Sequence, residues 1–278
     1  MRVPMLICAT GLQGVGKSHE TLKQAIYQAY VAPPNTRRSA LIYDVNNEYS
    51  KYEIDGVMHY IKPILPNQII AFGNQPQTEV RRIVPFHPNG QPMGPEDTEK
   101  LLIQVMSQYR NGTLIIEDLN RIYADALPVS VSGMFVNVRH RNCDCVYHMQ
   151  SVGRLLPKMR QNTRIVRFHY QLDSIASSKD KLAGEVEIFS IAEKLVQKQY
   201  DSGNIRFFVY IYRETKKIKG LFSPRMFADA IKEYLYENPK ETQIIERRRD
   251  NNGKKMYTYQ EAILLRLDEM FKKYYGNE

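Results

Sequence analysis

The sequence predicts an α/β protein: a mostly parallel sheet with helices on both faces, followed by a small helical C-terminal region. Three observations predict it. Short apolar runs alternate with stretches of helical periodicity, the pattern of strands joined by crossover helices. The first apolar run leads through a glycine-rich loop straight into a helix. Later runs end on acidic or amide residues, Asp44, Glu117-Asp118 and Gln150, and in parallel sheets ligands gather at the carboxyl ends of strands.

The elements follow in order. Residues 5–10 form an apolar run that reads as a buried strand. Residues 11–16 are a loop. Residues 17–29 are helical, with Leu22, Ala25, Ile26 and Ala29 on one face. Pro33-Pro34-Asn35 ends that unit. Residues 40–44 are a second strand. The stretch 51–92 is less regular, with strands expected at 57–61 and 80–86 and a short helix near 66–71. Gly94-Pro95 opens a helix with proline at its first position. Leu101, Leu102, Val105, Met106 and Tyr109 form its apolar face, and Asn111-Gly112 stops it. Residues 114–116, 143–149 and 165–170 are the third, fourth and fifth strands. A helix over 186–200 and a hairpin of 205–212 with 218–222 come next. After Ser223 the pattern is wholly helical. Thr258-Tyr-Gln-Glu261 is a capping box that opens a helix carrying Ile263, Leu267, Met270, Phe271 and Tyr274. The expected division is a core over 1–222 and a helical appendage over 223–278.

The chain has 278 residues, 43% hydrophobic and 25% charged, an ordinary globular composition. A net charge of +9 suits a polyanionic partner, nucleic acid first and acidic lipid second. The cysteines are Cys8, Cys143 and Cys145. An odd count does not make a disulfide framework, so a reducing intracellular setting is expected. No signal peptide is evident, because the first apolar run leads at once into the glycine loop. The late apolar run 205–212 contains Arg206 and is far below the roughly 18–20 residues needed to cross a bilayer. Cys143 and Cys145 point to the same face of their strand, so Cys143-x-Cys145-x-x-His148 reads as core alternation and not as metal ligands.

Two motifs carry chemistry directly. Gly11-Leu-Gln-Gly-Val-Gly-Lys-Ser18 is a phosphate-binding loop. Glycines let backbone N–H groups turn inward around phosphate oxygens, and the following helix presents its N-terminus to the same anion. Lys17 is expected to reach the β- and γ-phosphates and Ser18 to ligate Mg²⁺. Gly11, Gly14, Val15, Gly16, Lys17, Ser18 and His19 are the candidate ATP-binding residues. Thr113-Leu-Ile-Ile-Glu117-Asp118 resembles the second acidic motif of P-loop ATPases, where one carboxylate holds the Mg²⁺ shell and the other polarises the attacking water. The usual order is Asp then Glu. By position Glu117 faces the metal and Asp118 the water; by residue type the roles reverse.

Two further segments narrow the class. Leu41-Ile-Tyr-Asp44-Val-Asn-Asn-Glu48-Tyr49 is a strand ending in Asp with Glu-Tyr a few residues on. Arg139-His-Arg-Asn-Cys-Asp-Cys-Val-Tyr-His-Met-Gln150 is a basic segment before a strand that closes on Gln. Taken in order over residues 1–172, the four motifs resemble the HerA/FtsK superfamily of DNA pumps, and in particular viral genome-packaging ATPases. That resemblance implies a RecA-like P-loop NTPase core, a homo-oligomeric ring (hexamer or pentamer) and DNA threaded through its channel. It implies Gln150 as a sensor of the γ-phosphate or water, and Arg139 or Arg141 as a finger completing a neighbour's site. A channel-facing segment is expected at 119–132, with Arg121 as a DNA contact. Arg154, Lys158 and Arg160 are read as a solvated face in preference to DNA contacts. A capsid or portal protein is the expected docking partner of the ring, and the host cytoplasm or the virion its location. Tyr257, Tyr259, Tyr274 and Tyr275 are read as packing anchors and not as base-stacking residues. One alternative is an assembly and export ATPase resembling zonula occludens toxin-like proteins of filamentous phages; another is a small-molecule P-loop kinase. Neither an Asn-Lys-x-Asp segment of GTPases nor a Leu-Ser-Gly-Gly signature of ABC ATPases is present.

Overall fold

A computed structural model of the chain describes residues 3–87, 89–119, 123, 129–182 and 184–277. It divides into two compact units, Met1–Ile165 and Val166–Glu278. The boundary expected at 222/223 therefore falls inside the second unit.

The first unit runs β1 (Leu6–Thr10), α1 (Lys17–Ile26), β2 (Ala40–Tyr43), β3 (Lys51–Ile54), β4 (Val57–Tyr60), α2 (Ile69–Asn74), β5 (Val80–Ile83), α3 (Pro95–Gln108), β6 (Thr113–Ile116), α4 (Val129–Asn137), β7 (Asp144–Met149) and α5 (Pro157–Asn162). Its sheet has the order β1-β7-β6-β2-β5, and every one of these pairs is parallel. Leu6 lies opposite Cys145, and Thr113 opposite Asp144. Strands β2 and β7 are buried along their whole length, as parallel strands covered on both faces must be.

Alternation shows which helix covers which face. Ile42, Ile115 and Val146 join Leu22, Ala25 and Ile26 of α1, and Ala29 just after it, in one core cluster. Their chain neighbours point the other way. Tyr43 donates its hydroxyl to the Thr98 carbonyl of α3, and Tyr147 packs edge-on against Phe135 of α4, 5.5 Å between ring centres. A fully buried Leu22 contributes about 1.5–3 kcal/mol relative to exposure. Helix α1 ends one turn earlier than the periodicity predicts and widens into a π turn over Tyr27–Val31.

Strand β3 was not expected from the sequence. It pairs antiparallel with β4 through a two-residue turn, Asp55 (φ 50°) and Gly56 (φ 80°). Both central residues are left-handed, the geometry that matches the twist of the flanking strands.

Strand β8 (Ile165–His169) carries the chain across the division. The second unit continues with α6 (Val186–Asp201), β9 (Phe208–Tyr212), β10 (Lys217–Gly220), α7 (Pro224–Glu237), α8 (Lys240–Glu246) and α9 (Tyr259–Tyr274). The hairpin β9–β10 sets Tyr212 opposite Lys217. Helix α6 packs on α7, and α9 packs on α7 and α8. Ser223 caps α7, and Thr258 with Glu261 forms the expected box at the start of α9. Tyr274 is buried and Tyr275 stacks on Phe271 at 4.7 Å, so both anchor helices; Tyr259 is exposed. No described helix is long and apolar enough to cross a membrane.

Candidate active site

The loop between β1 and α1 takes its shape from glycine. Gly14 (φ 86°) and Gly16 (φ 89°) are left-handed, a region that costs other residues about 1–2 kcal/mol. A Cβ at Gly14 would meet nothing within 4 Å; the backbone requires glycine there, not the space. Val15 is buried between them and pins the loop. The Gly11 N–H donates to the Met149 carbonyl at 3.2 Å, which ties the loop to the end of β7. Gly16 stands at the N-cap of α1 without any side-chain cap, so no capping side chain stands between the helix N-terminus and an anion.

The Lys17 ammonium donates to the Gly11 and Leu12 carbonyls at 2.7 and 2.8 Å. It spans the loop where a triphosphate would offer stronger acceptors. The Ser18 hydroxyl donates to Glu117 Oε2 at 3.1 Å. His19 is half-buried and its ring stands 5.9 Å from that of Tyr52.

Glu117 follows the last residue of β6 and is only 5% exposed. His148 Nδ1 lies 2.8 Å from Glu117 Oε2, a close contact whose direction departs from a straight hydrogen bond. Its Nε2 lies 2.8 Å from the Thr21 hydroxyl of α1. The Tyr49 hydroxyl acts on both Ser18 and Glu117. Burial alone would push the Glu117 carboxyl up, but His148, Ser18 and Tyr49 together hold it below the usual carboxylate range. Burial, reinforced by Glu117, pushes the Tyr49 hydroxyl well above its ordinary value, so it remains a donor.

Glu117 Oε1, Thr10 Oγ1 and Ser151 Oγ are buried with no hydrogen-bond partner among the described residues. All three sit at the carboxyl ends of the neighbouring strands β1, β7 and β6. Buried polar atoms without partners cost stability, and oxygen donors at this edge fit a phosphate with a hydrated Mg²⁺.

Asp118 is partly exposed and left-handed (φ 45°), which turns the chain away sharply after Glu117. Gln150 is exposed at the tip of β7, the strand that lies between the loop strand β1 and the acidic strand β6. Asp44 proves to be a folding device. It is fully buried and accepts from the Glu48 and Tyr49 N–H groups at 3.0 and 3.1 Å and from Arg82 at 2.9 Å. The turn it closes delivers Tyr49 to Glu117, while Glu48 stays exposed.

Arg141 bonds the Met106 carbonyl in the last turn of α3. It precedes β7 and so lies at the sheet edge opposite the loop; the six residues of β7 separate the two ends by roughly 20 Å. The side chain of Arg139 and the whole of Arg121 lie outside the described residues, as do residues 120, 122 and 124–128. Leu119 and Val131, near the ends of the segment expected to face a channel, are buried. Arg154 and Lys158 are exposed and Arg160 half-buried. Cys143 and Cys145 are buried free thiols, and no group of three potential ligands suited to a metal occurs among the described residues. Sequence reasoning missed Thr10, Thr21, Tyr49, His148 and Ser151 as parts of the site. Tyr49, His148 and Ser151 nevertheless lay inside segments already singled out, Ser151 just after Gln150.

The strand–loop–helix, the lysine and serine that follow it, and the inserted strand between loop and acidic residue define a P-loop NTPase fold of the RecA-like type. No family model and no curated protein sequence matches this chain. Among solved structures, it is similar to the genome-packaging NTPase B204 from Sulfolobus turreted icosahedral virus 2 in complex with ATP-gammaS, at 15% identity and TM-score 0.48, covering 79% of this chain and 97% of that one. It is also similar to B204 described as the DNA-packaging ATPase from Sulfolobus turreted icosahedral virus, at 15% identity and TM-score 0.45, with the same coverage. The N-terminal domain of zonular occludens toxin from Neisseria meningitidis matches at 14% identity and TM-score 0.33, over 60% of this chain and 76% of that one. At these scores the likeness carries no statement about activity.

Proposed function

We propose that this protein is an ATPase that couples hydrolysis of ATP to movement of DNA, as a viral genome-packaging motor working in a homo-oligomeric ring. The observation that carries the hydrolytic part is the Ser18–Glu117 pair beside Lys17, with one buried oxygen of Glu117 unpartnered. The DNA part rests on the order of the four sequence motifs and the net charge of +9.

In this reading Lys17 leaves the Gly11 and Leu12 carbonyls for the β- and γ-phosphates, and the N–H groups of loop and helix complete the cradle. Ser18 and Glu117 would hold Mg²⁺, which when bound neutralises charge across the phosphate oxygens. Asp118, beyond the strand end and more open to water, takes the proton of the attacking water as its oxygen bonds the γ-phosphorus and the β–γ bridge breaks. Gln150 hydrogen-bonds that water or the γ-phosphate. Arg141, and Arg139 beside it, stand at the far edge of the sheet. The site a finger from there would serve is a neighbour's.

The test is direct. Purified protein is expected to hydrolyse ATP and to do so faster with DNA. Lys17→Ala should abolish turnover with circular dichroism and melting unchanged. Hydrolysis that survives Lys17→Ala overturns the site; hydrolysis indifferent to DNA overturns the coupling. The export reading shares every residue of this site and instead requires the protein to float with membranes.

A further inference from the structure

We propose that His148 is a positioning residue for the metal-side carboxylate. Together with Thr21 it holds Glu117 in the one orientation that presents Oε2 to Ser18 and leaves Oε1 for a Mg²⁺-bound water. The inference rests on the nucleotide reading above and assigns a role to a residue outside all four motifs' chemistry.

The placement follows from register. Ile116 of β6 lies opposite Tyr147 of β7, so the next residues, Glu117 and His148, are neighbours across two parallel strands. Both are nearly sealed from water, 5% and 2% exposed. The ring then bridges to a third element. Thr21 stands three residues after Ser18 on α1, and its hydroxyl is 2.8 Å from His148 Nε2 and 3.0 Å from the Lys17 carbonyl. The imidazole thus links the acidic strand to the helix that carries Lys17 and Ser18.

Proton accounting fixes the tautomer at one end. An ionised carboxylate can only accept, so Nδ1, which lies 2.8 Å from Glu117 Oε2 though off the line of a straight hydrogen bond, serves Glu117 as a donor in the tautomer that carries its proton there. At the other end the neutral ring then accepts at Nε2, so the single Thr21 hydroxyl proton faces both Nε2 and the Lys17 carbonyl. A ring hydrogen-bonded at one nitrogen to orient the other is the arrangement by which outer partners fix a ligand carboxylate. Without it, Glu117 would have only Ser18 and Tyr49 as donors, and both its oxygens would be free to rotate about the side chain.

Two substitutions separate the ends of the ring. The Asn amide nitrogen falls near Nδ1, so His148→Asn keeps the donor to Glu117 and loses Thr21. The Gln amide reaches towards Nε2, so His148→Gln keeps Thr21 and loses the donor. The readout is binding of ATP-gammaS, which needs no turnover, titrated with MgCl₂ and repeated in EDTA. In His148→Gln and His148→Ala the Mg²⁺ concentration that half-saturates tightening is expected to rise about 10–100-fold. His148→Asn stays near wild type, and EDTA binding is the same in all four proteins. An unchanged Mg²⁺ midpoint in His148→Gln overturns the inference. So does an equal loss in His148→Asn and His148→Gln, or a parallel loss of binding in EDTA, since either marks a merely structural residue. Wild-type protein that binds no ATP-gammaS overturns the nucleotide reading itself and this inference with it. If His148→Ala fails to fold, the Asn and Gln pair still decides.

Discussion

Each unit sets a glutamate among polar partners, Glu117 buried and Glu187 half-buried, and the two are finished differently. Glu187, at the start of α6, has both oxygens taken: Oε1 by Lys273 at 3.0 Å and by Tyr274, Oε2 by Arg266 at 2.7 Å. Arg266 extends the network to Glu241 and Glu269. Glu117 meets Ser18, His148 and Tyr49, yet Oε1 stays unpartnered. Burial raises both carboxyls, and neighbours outweigh it in both, so both lie below the ordinary range. The electrostatics are alike; the saturation is not. A carboxylate with both oxygens engaged is a tie between helices. One held rigid with an oxygen left over carries a cost that a bound ligand would offset, which is what the proposed reading requires of Glu117.

Substitutions sharpen this contrast. Glu117→Gln is expected to lower ATP turnover by about two orders of magnitude or more while leaving the melting temperature nearly unchanged, since a neutral amide can still accept from Ser18. A large loss of melting temperature without loss of turnover would erase the distinction. Glu187→Ala is expected to do the reverse. Its network is partly open to solvent, so the cost is about 1–3 kcal/mol, a few degrees in thermal melting for a chain of this size, with turnover intact. Turnover that collapses with Glu187→Ala would make the second unit part of the chemistry.

Acid tests the same network more gently. Because the folded Glu187 carboxyl lies below its ordinary value of 4.5, its ionised form stabilises the fold fully above that pH. The contribution fades as pH falls through the lower folded value. The stability gap between wild type and Glu187→Gln should therefore be widest near neutrality and close as pH falls through the lowered folded value; a gap that widens in acid would reverse the sign. The smallest effect concerns Arg141. Its contact at the C-terminal turn of α3 predicts a loss of only about 0.3–1 kcal/mol in Arg141→Ala. Mixed with wild-type subunits, the variant should inhibit turnover beyond dilution if it serves a neighbour, and not otherwise.

Glu117 and Glu187 also mark how far the sequence could be read. The phosphate loop, the parallel strands and the capped last helix were legible because each depends on residues close in the chain: glycines at fixed spacing, apolar runs, a Thr-x-x-Glu box. Strand β4 was expected at 57–61, but its partner β3 escaped the reading although Asp55-Gly56 announces the turn, because β3 is mostly exposed and lacks an apolar run. The division at Ile165 was hidden because it is set by the packing of α6 and α9 on α7, contacts between segments far apart in the chain. His148 looked like one more core residue of a buried strand. Its neighbour Glu117 is 31 positions away, and only the parallel register brings them together. The reversed Glu-Asp order left two assignments open; the Ser18–Glu117 bond favours reading by position.

One consequence of the loop remains. With its ammonium on the Gly11 and Leu12 carbonyls, Lys17 makes the loop its own resident ligand. An arriving anion gains only the difference between the contacts it offers and those it displaces. A small monoanion, which replaces two good acceptors with one diffuse charge, gains little. A polyphosphate that takes Lys17 and also reaches the N-terminus of α1 gains much more. In the nucleotide reading proposed above, the lysine would thus discriminate among solutes by how many acceptors they present at once.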